Sequence, residues 1–161
     1  MDIFDQQGVT NALYAVDYAW NIRHDPDLAV ALWPGPRVDW LFFHVYQFTK
    51  IANKDGKGDC VKGFKKIYKD FMDRIDVVPE WGTIPWGLGE WGTFLTNKWI
   101  KESDRLECIN GVRAMLEDKV NYPKLQASIY FNSLHCRLDE TTASDAVQEA
   151  FVDFLGSDYL V

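Results

Sequence analysis

Apolar positions recur along most of the chain at intervals of three and four residues, the spacing that lines one side of an α-helix. Val9, Leu13, Val16 and Trp20 form such a stripe over residues 8–24, widened by Ala12, Ala15 and Ala19. Asp25-Pro26 reads as an N-cap followed by proline at the first helical position. It opens a short helix over 26–33, which Pro34-Gly35-Pro36 ends. The most apolar stretch is 37–53, where Val38, Leu41, Phe42, Val45, Phe48 and Ala52 share a face beside Trp40 and Phe43. An apolar surface that wide predicts a central helix.

Asp59 then caps a helix over 60–76, with Val61, Phe64, Ile67, Tyr68, Phe71 and Ile75 inward. Residues 77–89 lose the helical period and carry two prolines and three glycines, so they predict a loop. Trp91, Leu95 and Trp99 give an inner face to a helix over 90–102. Ser103 caps another over 104–120, with Leu106, Ile109, Val112, Leu116 and Val120 inside. Residues 124–137 fit either a helix, through Leu125, Ile129 and Cys136, or a strand through Ser128-Ile129-Tyr130-Phe131. From Thr142 the residues Ala143, Ala146, Val147, Ala150, Phe151 and Phe154 predict a last helix, stopped at Gly156. The expectation is one all-α domain over 1–161, a compact bundle of seven or eight helices with a Trp/Gly-rich loop.

Composition fits that size. The chain has 161 residues, 47% hydrophobic and 25% charged, which suits one globular domain with a sizeable core. Aromatic residues are in excess, with seven Trp, seven Tyr and ten Phe. The net charge of −7 disfavours a general binder of nucleic acid or anionic membrane and tilts the balance toward a basic protein partner. The three cysteines, Cys60, Cys108 and Cys136, are odd in number and widely spaced. That argues against a disulfide framework and for free thiols in a reducing compartment. The acidic start lacks a signal-peptide pattern, and no apolar run approaches the roughly 20 residues that span a bilayer. A cytoplasmic location is expected, the chain being either a host protein or the product of a virus or mobile element.

The densest chemistry lies in EWGTIPWGLGEWGTF, residues 80–94. Trp81, Trp86 and Trp91 are each followed by glycine, five residues apart, and Glu80 and Glu90 hold equivalent places in the doubled EWGT. Five residues do not bring side chains to one side of a regular helix or strand. The indoles therefore serve either as a lid plugging the core or as a platform for a sugar, base, peptide or cation. The cost of leaving indoles in water favours the lid. Two carboxylates beside aromatic rings also match a glycosidase acid/base pair, provided they face each other across a cleft. The alternative for Glu90 is a helix cap.

Residues 50–69 hold seven Lys and two Asp, a local charge of +5. Lys62, Lys65, Lys66 and Lys69 fall on the outer face of the predicted helix. A solvated face is favoured over a nucleic-acid patch, because arginine is absent there. His24, His44 and His135 are scattered, and no zinc spacing occurs among His and Cys. His44 reads as a core histidine. No phosphate loop or calcium loop is present, and neither a cofactor nor a metal is expected. The leading functional expectation is a non-enzymatic acidic protein acting through protein–protein contact, of inhibitor, immunity, anti-defence or adaptor type. The alternative is a small hydrolase or carbohydrate-binding protein using the Trp81/Trp86/Trp91 loop with Glu80 or Glu90 as acid or base. The third is nucleic-acid binding through the face Lys62–Lys69.

Overall fold

The chain winds strand, helix, strand, helix into one sheet. The computed structural model describes residues 6–19, 22, 25–47, 60–94, 100–133, 136–139 and 142–156. In order these form β1 (Ala15–Tyr18), α1 (Pro26–Ala31), β2 (Trp40–Gln47), α2 (Cys60–Met72), a 3-10 turn (Pro79–Gly82), β3 (Trp86–Thr93), α3 (Glu102–Glu117), β4 (Leu125–Tyr130) and α4 (Asp145–Leu155). All three strand pairings are parallel, and the strand order is β1-β2-β3-β4.

This overturns the all-α expectation. The predicted helices over 8–24, 37–53 and 90–102 contain β1, β2 and the second half of β3, and the predicted loop over 77–89 contains the 3-10 turn and the first half of β3. The ambiguous stretch 124–137 holds strand β4. The cause is physical. Parallel strands read as near-continuous apolar runs, and a short apolar run satisfies the helical template as readily as the strand template. Trp40-Leu41-Phe42-Phe43-His44-Val45-Tyr46-Gln47 is rich in aromatic residues, the composition of a strand. The other four predicted helices exist within a few residues of their expected bounds. Asp25 caps α1 through its side chain, which accepts from the Leu28 amide at 3.0 Å. The Gly156 stop holds as the C-cap of α4. Ser103 does not cap α3. The Asp104 carboxylate instead accepts from the Lys101 amide at 2.8 Å. Asp59, Trp20, Phe48, Ala52, Leu95, Trp99, His24 and His135 lie outside the described residues.

Sequential parallel strands joined by crossovers of one hand receive their helices on one face. On that face stand Tyr18, Leu41, Phe43, Val45, Trp86, Leu88, Trp91 and Leu125, all buried. Phe71 of α2 packs edge-on against Phe43 at 4.7 Å and lies 4.7 Å from Trp81, between ring centroids. Tyr68 lies 4.8 Å from Trp86, and Phe154 of α4 lies 5.4 Å from Trp91. Much of the aromatic excess thus fills the space between sheet and helices. Cys136 is a free buried thiol, whereas Cys108 is disulfide-bonded, so the free-thiol reading does not extend to α3. No described helix is long and apolar enough to cross a membrane.

Candidate functional site

The opposite face of the sheet carries Asp17 on β1, Trp40, Phe42, His44 and Tyr46 on β2, and Gly87 and Glu90 on β3. Alternation along β2 sets His44 and Tyr46 on this face, because Leu41, Phe43 and Val45 occupy the other. Glu90 reaches it by a different device. Phe43 pairs with Leu88, but the next pair is His44 with Glu90, so Gly89 is an extra residue in β3. Without it, alternation would turn Glu90 toward the helices. A bulge of this kind re-aims the side chain that follows it.

Gly89 is also what admits Asp17. A Cβ at that position would come within 2.8 Å of Asp17 Oδ2. Gly87 does the same for Phe42, whose ring carbons would lie 2.3 Å and 2.6 Å from an added Cβ. The Phe42 ring also stacks on Trp40, centroids 5.5 Å apart and planes 15° apart.

The polar groups form one connected cluster. His44 Nε2 lies 2.6 Å from Asp17 Oδ2, and His44 Nδ1 lies 3.4 Å from Glu90 Oε2. The Tyr46 hydroxyl donates to the same Glu90 oxygen at 2.6 Å. Imidazole with one proton can donate to one carboxylate, and with two protons to both. Exposure is partial throughout: the side chains of His44, Glu90 and Asp17 are 20%, 37% and 42% accessible. Tyr46 is flanked by Phe131, edge-on at 5.8 Å. Each polar member lies in the carboxyl half of its strand, the end at which open parallel sheets place their ligands.

The sequence-predicted residues fall as follows. Trp81, Trp86 and Trp91 are fully buried on the helix side, with the Trp86 indole donating to the Trp81 carbonyl at 2.9 Å. Glu80 sits in the 3-10 turn, before the amino end of β3, so it does not share a cleft with Glu90. Its carbonyl accepts from Thr83 and Ile84. Lys62, Lys65, Lys66 and Lys69 line the exposed side of α2, where Lys66 pairs with Asp70 and Lys69 with Asp73. His44 is not a core histidine but the bridge of the cluster. Asp17, His44 and Tyr46 were not foreseen as partners of Glu90. Reading 40–47 with period two would have set His44 and Tyr46 on one face. Nothing in the sequence marks the bulge apart from Gly89 itself. Among the described residues no group of three or more His, Cys, Asp or Glu is arranged to hold a metal ion.

No protein-family model matches the chain, and no curated protein matches it in sequence.

Proposed function

We propose that the protein is a hydrolase acting on carbohydrate, with Glu90 as its central carboxylate. The observation that carries this reading is the Tyr46–Glu90–His44–Asp17 cluster, assembled by a bulge on a central parallel strand. A carboxylate that must attack an anomeric carbon, or deprotonate a water that does, needs a fixed direction. The Tyr46 hydroxyl fixes one oxygen, Oε2, of a side chain that stays partly accessible. Cleavage of a glycosidic bond also needs a proton for the departing oxygen. His44, held by Asp17, is the imidazole beside Glu90 and is assigned the delivery of that proton. A sugar ring offers an apolar C–H face and a rim of hydroxyls. Trp40, Phe42, Tyr46 and Phe131 supply flat apolar surface, and the two carboxylates supply acceptors, the mixture typical of ligand sites.

The test is hydrolysis of a panel of chromogenic 4-nitrophenyl glycosides by wild type and Glu90→Gln. The substitution should lower kcat by roughly 10²–10⁴-fold, the span of acid–base contributions, and leave the fold intact by circular dichroism. Turnover undiminished in Glu90→Gln, or absent from wild type across the panel, sinks the reading.

Protein–protein contact is the second reading, and one specific observation favours it. All-parallel sheets ordinarily have both faces covered, yet among the described residues no helix covers the face bearing Trp40 and Phe42. A partner there would bury that ring pair, and the acidic Asp17 and Glu90 would favour a basic one. Trp40→Ala that abolishes capture of a partner while sparing glycoside turnover would support this reading.

A further inference from the structure

Arg105 of α3 is fully buried, and among the described residues no carboxylate pairs with it. All of its bonds go to neutral oxygens. Nε donates to Thr93 Oγ1 at 3.2 Å, Nη1 to the Thr142 carbonyl at 2.7 Å, and Nη2 to the Arg137 carbonyl at 2.8 Å. A buried cation without a counter-ion is costly, and an apolar side chain would fill the same volume. What guanidinium supplies that an apolar group lacks is a rigid fork reaching several acceptors at once.

The three acceptors belong to two segments. Thr93 ends β3, three residues beyond Glu90. Arg137 and Thr142 lie on the connection from β4 to α4. Thr93 Oγ1 also lies 3.3 Å from the Tyr130 hydroxyl, which donates to the Cys136 carbonyl at 2.8 Å. The connection begins at Phe131, whose amide donates to the Trp91 carbonyl at 2.8 Å and whose ring packs on Tyr46. One guanidinium thus ties the end of β3 to the loop that borders Tyr46.

We propose that Arg105 is a positioning residue for Glu90. It fixes the β4–α4 connection, the connection seats Phe131 on Tyr46, and Tyr46 holds the Glu90 carboxylate. What Glu90 then does rests on the hydrolase reading above, but its positioning is measurable without turnover.

The experiment is NMR on the full chain in four forms: wild type, Arg105→Lys, Thr93→Val and Tyr46→Phe. Arg105→Lys keeps the charge and loses the fork. The Cys136 and Ala143 amides, bonded to the Ser133 and Asp139 carbonyls, should exchange roughly ten-fold faster as the connection opens locally. The Glu90 carboxyl carbon resonance should move in the same direction as in Tyr46→Phe. Thr93→Val removes one acceptor and should give both effects more weakly, which keeps the test decisive if Arg105→Lys does not fold. Faster amide exchange with the Glu90 resonance at its wild-type position would overturn the proposal, leaving Arg105 a purely structural anchor. Where a 4-nitrophenyl glycoside is turned over, kcat in Arg105→Lys should fall about ten-fold with KM held, and a wild-type kcat would also overturn it. If wild type turns over no glycoside while the resonance moves, the hydrolase reading fails and the positioning role stands.

Discussion

Glu90 stands opposite His44 in the β2–β3 register, although Gly89 would occupy that place in a strand without a bulge. One inserted glycine therefore decides whether a carboxylate faces the open side of the sheet or the aromatic core. The same glycine leaves the space into which the Asp17 carboxylate fits.

Gly89→Val should separate the cluster. The added side chain meets Asp17 at 2.8–3.0 Å, so Asp17 must withdraw from His44. Overpacking of this kind costs about 1–3 kcal/mol. Urea denaturation measures the stability loss, and the His44 ring resonances should report the lost carboxylate. A variant with wild-type stability and an unmoved His44 spectrum would mean that the bulge accommodates a side chain.

Trp86→Ala should destabilise the protein by about 3–5 kcal/mol, the range for removing a large buried aromatic group. Trp86 is completely enclosed between Tyr68, Phe43 and Phe71. Its indole bond to the Trp81 carbonyl would also be lost. A chemical denaturation midpoint within error of wild type would contradict this packing.

Stability should fall on the alkaline side. Burial raises the Cys136 thiol from its ordinary value of 9.0 to about 11 and the Tyr18 phenol from 10.0 to about 12. Both groups are neutral below those values. Between the unfolded and folded values the unfolded chain has lost a proton that the folded chain keeps, so rising pH favours unfolding. The contribution of Cys136 is complete below about pH 9 and lost by about pH 11, and that of Tyr18 follows between about pH 10 and 12. Thermal melts at pH 8, 9.5 and 10.5 should show a falling midpoint, with a shallower fall in Cys136→Ala. Identical slopes in the two proteins would remove Cys136 as a cause.

Reduction should matter at α3. Cys108 is buried and disulfide-bonded. Dithiothreitol should lower the unfolding free energy by about 2–4 kcal/mol, the usual worth of a disulfide. Cys108→Ala should make the urea midpoint indifferent to reductant. Equal midpoints for wild type with and without reductant would show that the bond contributes nothing.

The helices were legible in the sequence because each has solvent on one side, so Phe64, Ile67, Tyr68 and Phe71 stand out as a stripe. The strands were not. Leu41, Phe43 and Val45 alternate with Trp40, Phe42, His44 and Tyr46, and a run in which both faces are aromatic or aliphatic conceals its period of two. The Trp-Gly repeat shows the same masking. Trp86 and Trp91, five apart, belong on opposite faces of a regular strand, and the bulge returns them to one. Burial of the three indoles was the favoured reading of the sequence, but the element that buries them was not foreseen. Glu90 was visible as a candidate, whereas its partners came from two other strands and required the fold.

The order of strands in the sheet is the order of strands in the chain. Each new βα unit therefore docks on the one made just before it, and no strand waits for a later segment to be inserted beside it. Contacts between neighbouring strands span a single crossover, which keeps loop-closure costs nearly uniform along the chain. Such a chain can gain its structure progressively from one edge, with each completed unit serving as the template for the next. The cluster at Glu90 draws its side chains from the first three strands, whereas the Arg105 clamp beside it joins β3 to the connection that follows β4.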